Sequence, residues 1–87
     1  GNHVFKIDLL FFNYELNCFI VIELKVKEYH PKDIGQLQLY VNYANQNIKK
    51  SYHKDTIGLL IVKKKDKYVI EYTTSKNIFV TTYKLML

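Results

Sequence analysis

Val4-Phe5-Lys6-Ile7-Asp8-Leu9-Leu10-Phe11-Phe12 and Leu16-Asn17-Cys18-Phe19-Ile20-Val21-Ile22-Glu23-Leu24-Lys25-Val26-Lys27 are the two runs whose pairing decides the fold of this chain. Side chains along a strand alternate between faces, so each run divides into two sets. In the first, Phe5, Ile7, Leu9 and Phe11 make a wholly apolar face, and Lys6 and Asp8 lie on the reverse with Val4, Leu10 and Phe12. In the second, Cys18, Ile20, Ile22, Leu24 and Val26 share one face, and Phe19, Val21, Glu23, Lys25 and Lys27 share the other. Asn13-Tyr14-Glu15 breaks the pattern and reads as a turn. Folding there brings the even residues of the first strand onto the face of the odd residues of the second. Lys6, Asp8, Glu23, Lys25 and Lys27 then gather at the open end of a hairpin, while Leu10, Phe12, Phe19 and Val21 cover its turn end.

Two readings fit this charged end. It is the solvated side of an antiparallel ribbon, where opposite charges contribute a few tenths of a kcal/mol, or it is the acidic pair and lysine of a metal-dependent phosphodiesterase. Large apolar neighbours on the same face favour partial desolvation of Asp8 and Glu23, which then need a cation.

Eighty-seven residues make one small domain, residues 1–87, and a 48% hydrophobic, 15% aromatic composition excludes a disordered or low-complexity chain. The lone Cys18 forms no internal disulfide and reads as a core residue in a reducing, cytoplasmic setting. No run approaches ~18 uninterrupted apolar residues and no leader precedes Val4, so no membrane association is expected. The start at Gly1-Asn2-His3, without methionine, reads as a piece of a longer chain. The net charge of +5 comes from lysine alone. Lys25/Lys27, Lys49/Lys50/Lys54 and Lys63 to Lys67 are either solvated or an attraction for a polyanion such as nucleic acid. Lysine without arginine favours point contacts to phosphate over bidentate reading of bases, so sequence-specific recognition is not expected.

Pro31 suits the first position of a helix running from about Pro31 to Lys49. Ile34, Leu37, Val41, Ala44 and Ile48 make its buried stripe. Gln36, Tyr40, Tyr43 and Asn47 form a second stripe, either an ordinary amphipathic flank or a functional one. Thr56 to Lys63, with Ile57, Leu59, Leu60, Ile61 and Val62, reads as a central strand covered on both faces. Strand, helix, strand in this order implies a right-handed crossover to a parallel neighbour. Lys67 to Thr74 fits a strand or a short helix, and Ile78 to Leu85 a final strand. The expected fold is α/β (α+β), a mixed sheet with a helix packed on it.

The order Ile7-Asp8-Leu9-Leu10-Phe11-Phe12, Val21-Ile22-Glu23-Leu24-Lys25, Pro31, Gly35-Gln36 with Tyr40, then Ile57-Gly58-Leu59 resembles the C-terminal nuclease domain of YhcG-type proteins, a branch of the PD-(D/E)XK superfamily. The resemblance extends through Lys64-Lys65-Asp66-Lys67, Glu71-Tyr72 and Tyr83-Lys84-Leu85, and favours a short helix for Lys67 to Thr74. It implies a restriction-endonuclease-like fold and metal-dependent hydrolysis of DNA, directed by structure rather than sequence. By that resemblance Asp8 and Glu23 bind metal, Lys25 orients or activates the attacking water, and Gln36 and Tyr40 match a Gln-x-x-x-Tyr helix motif holding substrate or metal-bound water. Mg²⁺ or Mn²⁺ is the implied cofactor; Mg²⁺ is satisfied by two carboxylates, a backbone carbonyl such as that of Leu24, and waters.

The family normally places a helix and a strand before the aspartate-bearing strand, and neither precedes His3 here. The expectation is an N-terminally truncated domain, with a further domain of the parent chain on that side and a sheet edge open to homodimer pairing. An inactive nucleic-acid-binding or oligomerisation module is the alternative. His3, His30 and His53 lack zinc-site spacing, and there is no phosphate-binding glycine loop or nucleophile elbow.

Overall fold

The computed structural model describes residues 9–25, 30–63 and 77–83. Two strands, β1 (Leu9–Asn13) and β2 (Cys18–Lys25), are followed by helix α1 (Pro31–Asn47) and strands β3 (Ile57–Val62) and β4 (Ile78–Thr82). They form one mixed sheet in the order β1-β2-β3-β4. β1 is antiparallel to β2, whereas β2, β3 and β4 run parallel.

The hairpin has the parity expected from sequence. Leu10 pairs with Val21 and Phe12 with Phe19, so even residues of β1 share a face with odd residues of β2. The turn is longer than the expected three-residue break. Asn13 Oδ1 accepts a hydrogen bond from the Leu16 backbone N–H at 2.9 Å, and Asn17 takes a left-handed φ of 54°. β2 therefore starts at Cys18 instead of Leu16.

Side-chain packing fastens this turn to the loop between α1 and β3. Asn17 Nδ2 donates to the Tyr52 carbonyl at 2.8 Å, and the Lys54 N–H donates to the Asn17 carbonyl at 2.9 Å. The His53 ring sits edge-on to Phe19 and against Phe12, with centroids 5.4 and 5.0 Å away.

α1 begins at Pro31, whose missing N–H costs nothing in the first turn. It ends at Asn47, two residues short of the expected Lys49. Ile34, Leu37, Val41 and Ala44 are buried against Val21, Leu60, Val62 and Ile78, with Ile48 and Tyr40 packed beside them. This is the core, and it lies on one face of the sheet.

The opposite face departs from expectation. Among the described residues the helix covers one side of β3: Gly58, Leu60 and Val62 are buried, while Ile57, Leu59 and Ile61 are partly buried. Around them Leu24, Phe79 and Phe11 are about half exposed, so the sheet presents a broad apolar surface away from α1. A continuous apolar run signals potential burial on both faces, but cannot supply the second layer. Lys67 to Thr74, Val4 to Asp8 and the end of the last expected strand lie outside the described residues. None of the described helices is long and apolar enough to cross a membrane.

Gly58 sets how closely α1 approaches the sheet. A Cβ there would stand 2.7 Å from Ile78 Cδ1, 2.8 Å from Val41 Cγ2 and 3.0 Å from Leu37 Cγ. Two of these belong to the helix. Gly58→Ala is therefore expected to destabilise the fold by about 1–3 kcal/mol, the usual cost of overpacking. Urea denaturation measures this, and an unchanged midpoint would show that the helix does not depend on that close approach.

Candidate active site

The C-terminal end of β2 carries Glu23, Leu24 and Lys25. Glu23 pairs in register with Leu60 and Lys25 with Val62, both buried beneath α1, so the carboxylate and the ammonium belong to the helix-covered face. Glu23 is only 9% exposed. Leu24 lies between them with its half-exposed side chain on the opposite face. Asp8, the expected companion of Glu23, lies outside the described residues.

Lys25 has a partner that sequence reasoning missed. Its Nζ is 3.2 Å from Asp33 Oδ1, and the Asp33 side chain is almost completely buried, against 29% exposure for that of Lys25. The other oxygen, Asp33 Oδ2, accepts a hydrogen bond from the His30 backbone N–H at 2.8 Å, and the Asp33 N–H donates to the His30 carbonyl at 2.9 Å. The acid satisfies an orphan donor at the helix start, where the helix dipole also favours negative charge. Its third position in the helix, just after His30-Pro31, was the available signal.

Gln36 and Tyr40 are brought together one turn apart. Gln36 Nε2 donates to the Tyr40 hydroxyl at 2.7 Å. At 3.6 residues per turn, Tyr40 lies about 20° and Gln36 about 60° around the helix from Asp33. Asp33 meets Lys25 on β2, so the Gln36/Tyr40 flank is the one turned toward β2. The second stripe is thus oriented toward the strand that bears Glu23 and Lys25. Asn47 extends it, donating to the Tyr43 carbonyl at 3.1 Å.

The chemistry of the donors suits a hard divalent ion. Glu23 and the Leu24 carbonyl offer oxygen ligands of the kind that Mg²⁺ accepts alongside water. Among the described residues no three His, Cys, Asp or Glu side chains group to hold a metal. The described histidines serve other ends: the backbone of His30 caps α1, and His53 Nδ1 accepts the Lys50 N–H at 3.0 Å beside the aromatic rings. Lys49 pairs with Asp55 at 3.3 Å, whereas Lys50, Lys54 and Lys63 are exposed.

A mixed sheet with a β-hairpin, a helical crossover and Glu-x-Lys at a strand end defines a PDDEXK nuclease fold of the restriction-endonuclease-like kind. The sequence profile of the YhcG PDDEXK nuclease domain matches residues 1–87, and the chain belongs to that family. It is 30% identical over 86 residues to "Putative nuclease YhcG" of Escherichia coli (strain K12), an alignment covering 95% of this chain and 23% of that protein. The chain thus spans about a quarter of that relative's length. No solved structure matches it significantly.

Removing both functions of the Asp33 carboxylate should be costly. Asp33→Ala is expected to lower stability by about 1–3 kcal/mol, through the lost helix-start hydrogen bond and ion pair. Thermal or chemical denaturation reads this, and a change within about 0.5 kcal/mol, the range of ordinary surface substitutions, would contradict it.

Proposed function

We propose that this domain hydrolyses DNA phosphodiester bonds with Mg²⁺ or Mn²⁺, directed by DNA structure rather than sequence. The observation that carries the reading is the burial of Glu23 on the face it shares with Lys25, at the open end of the hairpin. In this reading Asp8, which immediately precedes β1, joins Glu23 and the Leu24 carbonyl as a metal ligand. The Leu9↔Ile22 pairing supports that choice, since Asp8 and Glu23 are the residues next in sequence beyond that pair. A divalent ion held by these groups would supply Lewis-acid polarisation of the scissile phosphate and a more acidic water. Lys25 stabilises negative charge developing on the phosphate or orients the attacking water. Gln36 and Tyr40 hold the substrate or that water from the flank of α1.

The domain works in the cytoplasm as part of a longer chain. The share of the relative that it spans supports this. β1 is an edge among the described strands, with Leu9, Leu10, Phe11 and Phe12 exposed, and that edge supports pairing of two copies. The same surface favours the second reading, an oligomerisation or nucleic-acid-binding module without cleavage.

The test incubates the chain and its longer parent with plasmid, linear and branched DNA in Mg²⁺, Mn²⁺ or chelator. Expected is cleavage that stops with chelator and falls at least about a hundredfold in Asp8→Ala, Glu23→Gln and Lys25→Ala, as for loss of a group that stabilises the transition state. Cleavage indifferent to metal or to these substitutions would refute the proposal. Salt-sensitive binding without cleavage would favour the second reading.

A further inference from the structure

We infer that Asp33 is the positioning residue for Lys25, fixing its ammonium to the start of α1. This inference rests on the reading of Lys25 as the lysine of the site. Capping the helix needs only one carboxylate oxygen, and Oδ2 meets that need through the His30 N–H. Oδ1 is turned instead onto Lys25 Nζ at 3.2 Å.

The asymmetry of exposure fits a holding role. Asp33 is 1% exposed. A carboxylate in that position is held by short backbone geometry on a helix and has little freedom of its own. Lys25 is long and flexible, and keeping it in one rotamer costs side-chain freedom. An anchored acid beside it imposes that order before substrate arrives, the condition for efficient positioning. An ammonium has three donors, so one contact with Asp33 leaves two for a phosphate oxygen or a water. The Lys25 side chain retains 29% exposure, which leaves it open to a ligand.

Asp33 also brings two elements into a common frame. Gln36 and Tyr40 stand three and seven residues further along the same helix, on the flank toward β2. A helix displaced along the sheet would carry Asp33, Gln36 and Tyr40 together and draw Lys25 with them. The ion pair therefore couples the strand-borne group to the helix-borne ones.

Two readouts test the inference on the full chain. The first is NMR of the lysine side-chain ammonium groups, with the Lys25 signal assigned by Lys25→Ala. Expected is a Lys25 side chain ordered in the wild type and in Asp33→Glu, and freely averaging in Asp33→Asn. Asp33→Asn keeps an oxygen for the His30 N–H, which guards the fold, and denaturation checks it. Should Asp33→Asn still fail to fold, Asp33→Glu carries the comparison through its displacement of the Lys25 signal. Equal mobility of Lys25 in wild type and Asp33→Asn, or an unmoved signal in Asp33→Glu, would overturn the inference.

The second readout is single-turnover cleavage of DNA. Asp33→Asn should slow it on the order of ten- to a hundredfold without weakening DNA binding, Asp33→Glu should recover part of the loss, and Asp33→Asn should cost nothing further in a Lys25→Ala background. An equal loss in both backgrounds would mean that Asp33 acts independently of Lys25 and would contradict the claim. A wild type that cleaves nothing would refute the nuclease reading alone, and the NMR result would still decide the role of Asp33.

Discussion

The fold hangs on the absence of one side chain. With no Cβ at Gly58, Leu37 and Val41 can settle onto β3, and Ile78 of the neighbouring strand fills in beside them. That contact sets the height and position of α1 over the parallel strands. The start of the helix is then held at the end of β2, where Asp33 reaches both His30 and Lys25. Packing at the middle of the helix and electrostatics at its N-terminus thus determine one another, and the placement of the Gln36/Tyr40 flank follows from both.

Among the described residues one side of the sheet has this support. α1 buries Val21, Leu60, Val62 and Ile78, whereas the reverse face leaves Leu24, Phe11 and Phe79 about half in water. Apolar surface of that extent is a standing drive toward association, because each covered side chain contributes on the order of 1.5–3 kcal/mol. Leu9, exposed on the same face of β1 as Phe11, continues this surface to the sheet edge.

Much of this was legible in the residues because strand alternation is strict. The parity of the two first runs correctly put Leu10 and Phe12 on one face with Phe19 and Val21, and Glu23 with Lys25 on that same face. The helix stripe of Ile34, Leu37, Val41 and Ala44 was equally plain, since its spacing and its burial have the same cause. Asp33 was not legible as a partner of Lys25. The two are close only because the crossover returns the helix start to the strand end, and a local pattern shows capping but not tertiary contact. The one-sided cover of β3 was missed for the converse reason: apolarity states what a face requires, not whether anything lies upon it. The four-residue turn at 14–17 depended on Asn13 and Asn17 acting together, the first through its side chain and the second through its left-handed backbone.

In the proposed function the buried carboxylate of Glu23 holds a divalent ion, with Asp8 as its companion. Replacing Mg²⁺ by Fe²⁺ and generating hydroxyl radicals at the bound iron would test it directly, because the radicals cut the polypeptide beside the ion and mass spectrometry locates the cuts. The account predicts cuts clustered at Asp8 and at Glu23-Leu24, suppressed by excess Mg²⁺ and absent in Glu23→Gln. Cuts elsewhere in the chain, or a pattern unchanged by Glu23→Gln, would contradict it.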